Sequence, residues 1–156
     1  MACALAGAVC VGASGQKPTD AAPVLKGLVP GWTGLVDPSG RCRVSVPPQW
    51  SVVDRARMAF APDGGASASE EWTPSPSWTW YKTRLHHLVR TLVQHEDSGD
   101  RLWLEYASGW DGVHHYAAVP SGEGVCVLQL EVRAVSAARL DGVVRQVVGS
   151  LIALSP

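Results

Sequence analysis

Val125-Cys126-Val127-Leu128-Gln129-Leu130-Glu131-Val132 carries an apolar residue at every even position, while the odd positions turn polar at Gln129 and Glu131. Side chains on a strand alternate between its two faces, so this stretch predicts a strand whose even side meets a core. Arg41-Cys42-Arg43-Val44-Ser45-Val46 alternates in the same phase, polar at odd and apolar at even numbers. Cys42 and Cys126 therefore both fall on inward faces. A disulfide across one core is sterically conceivable, and two buried free thiols acting as small hydrophobes fit the same pattern.

Outward from these strands the chain is punctuated by turns. Asp37-Pro38-Ser39-Gly40 precedes the first strand, with Pro fixing φ and Gly admitting positive φ. Before it, Gly31–Val36 reads as a short opening strand; after it, Pro47-Pro48 stops the chain and Trp50–Val53 is again extended. Arg57–Ala61 and Ala66–Trp72 flank the turn Pro62-Asp63-Gly64-Gly65 as a hairpin. Thr73-Pro74-Ser75-Pro76-Ser77 then breaks the strand and places Ser and Pro where helix caps and first turns use them.

The period next becomes helical. Trp78, Tyr81, Leu85, Leu88 and Leu92 recur alternately three and four residues apart, forming one apolar stripe. Strand character returns in Val93–Glu96, Arg101–Ala107, Val113–Val119 and Val125–Ala134, and the last three are spaced as an antiparallel meander. A second helix closes the order, with Ser136 as its expected N-cap and Leu140, Val143, Val144, Val147 and Leu151 as its buried stripe. Strands, helix, meander, helix: this order predicts an α+β fold, a mostly antiparallel sheet covered by two helices, over residues 31–156.

The length of 156 residues suits one domain, and 46% hydrophobic against 17% charged residues supplies a core and argues against disorder. A formal net charge of −1, with both signs interspersed, leaves no basic stripe for phosphates, so nucleic acid is not an expected partner. Residues Met1–Gly15 are uncharged, and Ala4–Val11 is too short to span a membrane. It fits the apolar stretch of a signal peptide with Ala13-Ser14-Gly15 as cleavage site, followed by a linker over Gln16–Pro30. No Lys or Arg precedes the apolar run, so the competing reading is a packed or disordered apolar N-terminus. Cys10 after Ala8-Val9 admits a lipid anchor, though Val there fits a bacterial lipobox poorly. The expected location is extracytoplasmic, and that compartment tips Cys42 and Cys126 toward a disulfide.

The strand Cys42–Val46 running into Pro47-Pro48-Gln49-Trp50, close to a V-x-V-P-x-x-W pattern, and the terminal helix ending Val147-Val148-Gly149-Ser150-Leu151 carry a resemblance. With the element order between them, over about Trp32–Leu154, the chain resembles the PsbP-like fold, including its bacterial exported and lipoprotein members of the DcrB type. The resemblance implies an α/β/α sandwich acting as an interaction or adaptor domain. It implies no shared catalytic set and no cofactor.

The residues with chemistry point the same way. His86-His87 and His114-His115 are paired, and His95 precedes Glu96-Asp97. Zinc needs three or four converging ligands, yet neighbours point about 100° apart on a helix and to opposite faces on a strand, so each pair offers one ligand at most. No metal site is expected. There is no Gly-x-Ser-x-Gly elbow, Ser98 and Ser108 have no distinctive partners, and Glu70-Glu71 and Glu96-Asp97 read as solvated edges.

The seven tryptophans are the sharper signal. Trp80 lies off the helical stripe, on the side of Arg84 and His87; Trp110 sits in a turn; Trp103 alternates against Leu102 and Leu104. Exposed Trp beside Arg is the composition of a binding hot spot, so Trp80, Arg84, His87 and Trp110 are the candidate contact residues. The expected function is a non-catalytic exported domain binding a protein or envelope partner. The alternatives are a small hydrolase or metal-binding domain using the histidine pairs, and an intracellular secretion chaperone of the same fold. A pocket uniting histidines with a carboxylate would favour the hydrolase or metal reading.

Overall fold

The structure, a computed structural model, describes residues 29–53, 58–88, 93–108 and 112–155, with backbone alone at 86–88 and 108. In chain order the elements are β1 (Thr33–Val36), β2 (Cys42–Val46), β3 (Ser51–Val53), β4 (Met58–Phe60), β5 (Ala66–Pro74) and α1 (Trp78–Leu88). Then follow β6 (Val93–Asp97), β7 (Leu102–Ser108), β8 (Gly112–Ser121), β9 (Gly124–Arg133), α2 (Ala134–Gly149) and β10 (Ile152–Ala153). Every strand pair is antiparallel. One sheet runs β3-β4-β5-β9-β8-β7-β6, and a smaller one runs β1-β2-β10.

The central strand β9 explains this arrangement. Val125 and Val127 belong to the apolar cluster under α1 with Leu102, Leu104, Ala118 and Tyr81. Cys126, Leu128, Leu130 and Val132 belong to the opposite cluster with Leu140, Val144, Val147 and Val148 of α2 and with Cys42, Val44 and Val46 of β2. A strand buried on both faces has to sit mid-sheet between two layers. The layers are thus α1, the large sheet, then α2 beside the small sheet. Each fully buried Leu or Val contributes roughly 1.5–3 kcal/mol of transfer free energy.

The even-numbered residues of β2 and β9 do share one interior, and Cys42 and Cys126 are joined by a disulfide with Cα atoms 5.5 Å apart. The Val-Pro-Pro-Gln-Trp segment is a layer switch. Trp50 donates its backbone N–H to Pro47 O at 3.0 Å, drops its ring into the core, and lets β3 join β4 in the other sheet. Ser150, just beyond α2, accepts from the Ser45 N–H through its hydroxyl at 2.8 Å, fastening the helix end to β2. The loop before β2 is held by Asp37, whose carboxylate accepts from the backbone N–H groups of Ser39, Arg41 and Cys42, with Gly40 at φ 70°.

Three expectations need amendment. Ser136 is not the N-cap: β9 passes directly into α2 at Ala134, Arg133 occupies the cap position, and Ser136 is buried against the turn at Gly65. The N–H of the cap residue Arg133 itself is satisfied by Gly65 O at 2.9 Å, which ties the start of the helix to the turn. Glu70-Glu71 is not a solvated edge, because alternation on β5 turns Glu71 outward and Glu70 into the space between the sheets, where it is 1% exposed. The meander is longer by one strand, since β6 also pairs with β7. Leu92, expected on the stripe of α1, lies outside the described residues.

Candidate functional site

The first candidate surface is on α1. Ser77 caps this helix, its hydroxyl accepting from the Trp80 N–H at 3.1 Å. Trp78, Tyr81 and Leu85 then face the sheet, and the Tyr81 hydroxyl hydrogen-bonds that of Tyr116 on β8. That phase leaves Trp80 on the outer side, 44% exposed, with the Arg84 guanidinium 5.3 Å from its ring centroid. Trp80 and Arg84 are therefore together, as the spacing predicts. His87 continues the backbone of α1 without a described side chain, and Trp110 falls within 109–111, outside the described residues.

The second candidate lies on the other face of the sheet. Glu105 on β7 is directly opposite His115 on β8. On β6 the register shifts between Gln94, opposite Leu104, and Glu96, opposite Trp103, so His95 is the extra residue of a β-bulge. Val93 stands opposite Glu105, so alternation carries His95 to the same face as Glu105 and His115, and the bulge sets Glu96 opposite Trp103 as well. His95 Nε2 hydrogen-bonds Glu105 Oε2, and His115 Nδ1 lies 3.9 Å from that oxygen. One ligand atom from each of the three residues lies within 4.8 Å of the others.

Trp103 is the floor of this cluster. Its ring stacks on His95 at 4.2 Å between centroids and 21° between planes. Its indole N–H donates to His115 Nδ1 at 3.3 Å. From α2, Arg145 holds Asp141 at 2.9 Å and sets its guanidinium 5.6 Å from the Trp103 centroid. Burial holds His115 below the usual histidine pKa, against the pull of the Glu105 and Asp141 charges, so its ring is neutral near pH 7.

The histidine pairs split as strand geometry requires. His115 joins the cluster, whereas His114 turns to the α1 side and stacks on Tyr106 at 5.0 Å. Glu105 is the member that spacing does not single out, since nothing in Arg101–Ala107 marks it before the strand register is known. Trp103 opposes Leu102 and Leu104 as its alternation predicts.

Elsewhere, burial and then the nearby Asp37 charge push the Glu70 carboxyl up to about 8, with Arg43 acting the other way. An open groove of about 970 Å³ runs beside β10 and the β8–β9 turn, lined by Arg101, Pro120, Leu151 and Leu154 among others. No histidine lines it, and Arg101 spends its guanidinium on the carbonyls of Val148 and Leu151, at 2.9 Å each. Cys42 and Cys126 are paired and offer no nucleophile. Among the described residues no helix is long and apolar enough to cross a membrane.

No protein-family model matches the sequence, and no curated protein matches it either. Solved structures do share the fold. The solution structure of cyanobacterial PsbP (CyanoP) from Synechocystis sp. PCC 6803 superposes with a TM-score of 0.50 at 10% identity, covering 78% of this chain and 92% of that one. A Bacteroides thetaiotaomicron crystal structure gives 0.55 at 10% identity over 80% of this chain, which spans only 49% of that protein. LpqN of Mycobacterium tuberculosis, described as involved in cell envelope biogenesis, gives 0.48 at 11% identity over 79% and 90% of the two chains.

Proposed function

From a PsbP-like α+β fold, we propose that this chain is a non-catalytic, exported domain that binds a protein or envelope partner through the Trp80–Arg84 face of α1. The observation that carries the reading is Trp80 itself. Trp is a large apolar side chain, yet this one is 44% exposed on an ordered helix, with a guanidinium alongside. Interface hot spots are built from Trp and Arg held in this way, because both bring large contact area and donors to a desolvated centre. The disulfide between β2 and β9 supports export, since such bonds persist in oxidising compartments. His87 and Trp110 complete the proposed contact set.

The test is site-specific photo-crosslinking in the native host. A photoreactive residue at position 80 is expected to give one discrete adduct. The same residue at Val135, which is apolar and 88% exposed on α2, is expected to give none. Trp80→Ala should abolish recovery of that partner while leaving the fold intact. Adducts of equal yield at both positions would refute the proposal. Mass spectrometry of the native N-terminus tests export separately, with cleavage after Gly15 the expected result.

A further inference from the structure

We infer that His95, Glu105 and His115 form a binding site for a divalent transition ion of the zinc class, on the sheet face opposite the Trp80 surface. The inference is independent of the partner-binding reading, and neither stands or falls with the other.

Donor chemistry is the first argument. Two imidazoles and one carboxylate are zinc ligands, whereas magnesium and calcium take oxygen ligands. Tetrahedral coordination at about 2.0–2.1 Å sets ligand atoms roughly 3.3 Å apart. The cluster straddles that value: His95 and Glu105 are closer, as a hydrogen-bonded pair, and His115 Nδ1 is 3.9 Å from Glu105 Oε2. Side-chain rotations suffice to centre an ion, because the three backbones are already fixed by adjacent strands.

Charge and access agree with this. Glu105 supplies one negative charge, and Asp141, whose charge also bears on both histidines, lies beyond them with Arg145 as its counter-ion. His95 and Glu105 keep 20% and 29% of their side-chain surface in solvent, so an ion can enter and water can take the fourth position. Three protein ligands with one open position is an exchangeable site rather than a closed structural one.

Trp103 gives the site a specific signature. Its indole N–H occupies the His115 Nδ1 lone pair in this structure, and its ring lies against His95. An ion bound at Nδ1 displaces that hydrogen bond. Trp103 emission therefore reports loading, and Trp103→Phe, which removes the competing donor, should bind zinc at least as tightly while losing the emission change.

Calorimetric titration of the disulfide-intact, tag-free chain with zinc chloride tests this. One saturable site is expected, unaffected by excess magnesium. His95→Gln and Glu105→Gln, both at part-exposed positions where folding is not at stake, should each weaken binding at least tenfold. His114→Gln, on the opposite face, should leave it unchanged. Cobalt should give the visible bands of tetrahedral coordination in the wild type and lose them in both ligand variants. Absence of a saturable zinc site, or equal binding by wild type, His95→Gln and Glu105→Gln, would overturn the inference, as would equal weakening by His114→Gln.

Discussion

Glu70→Gln is the substitution that interrogates the space between the two sheets. Both carboxylate oxygens of Glu70 are buried without a hydrogen-bond partner, and so is Arg43 Nε nearby. Burial, then the Asp37 charge, raises the Glu70 carboxyl from 4.5 to about 8, so the folded protein holds this proton more tightly than the unfolded chain does. The sign follows. Stability tied to the neutral carboxyl is fully present below about 4.5 and is lost progressively as pH rises through about 8. At about 1.36 kcal/mol per pH unit, the interval from 4.5 to about 8 bounds the loss at roughly 4–5 kcal/mol. Local relaxation and water penetration around the charged carboxylate trim the realised loss to about 2–4 kcal/mol.

Glutamine has the same shape and stays neutral. Urea unfolding of the disulfide-intact protein should therefore find wild type and Glu70→Gln within about 1 kcal/mol at pH 5. At pH 9 the variant should be more stable by about 2–4 kcal/mol, with an unchanged m-value. The two proteins differ at this side chain alone, so the difference between the two curves isolates Glu70. Parallel stability profiles from pH 5 to pH 9 would refute the reasoning and mean that Glu70 is solvated or paired in solution.

Further outcomes follow from the same structure. Reducing the Cys42–Cys126 bond, which spans 84 residues of sequence, should lower stability by up to roughly 4–5 kcal/mol on the chain-entropy account, read as a drop in urea midpoint. Gly124→Ala should cost about 1–3 kcal/mol, because its new Cβ would lie 2.5 Å from both the Thr73 carbonyl oxygen and the Trp72 ring, and backbone cannot give way cheaply. Leu128→Ala, in the middle of β9 and fully buried, should cost about 2–5 kcal/mol by calorimetry or denaturant. Trp80→Ala should change stability by less than about 1 kcal/mol while removing the partner adduct, a dissociation that a core tryptophan would not show.

Where periodicity is strict, the sequence carried the fold. The even-numbered phase shared by Cys42–Val46 and Cys126–Val132 led to one interior and to the disulfide, because a period of two admits only two choices of face. The stripe of α1 did the same for Trp80, which is exposed because Trp78 and Tyr81 are not. Capping was legible at Ser77 but not at the start of α2. There the N–H of Arg133 finds Gly65, a partner far away in sequence and near only after β5 and β9 have paired. Glu70 misled for a related reason: two adjacent carboxylates look solvated until the strand is assigned, and the pleat then sends one of them inward.

The His95 cluster shows most clearly what local pattern cannot contain. Sequence reasoning rightly held that His114 and His115 point to opposite faces, and the two rings do part company across the sheet. It did not foresee that His115 would lie beside His95 and Glu105. That grouping depends on two facts of register, the pairing of Glu105 with His115 and the pairing of Glu105 with Val93, two residues before His95. Regular pairing continued from Gln94 would set the next β6 residue opposite Trp103, on the face of Glu105. A deletion of His95 that restores regular pairing should therefore abolish zinc binding even though Gln94 and Glu96 remain. Glu96→His in the deleted chain should restore it, since position 96 stands opposite Trp103, on the face of Glu105. Zinc calorimetry on the two variants decides this, and failure of Glu96→His to restore binding in the deleted chain would show that sharing the face of Glu105 is not enough to make a ligand.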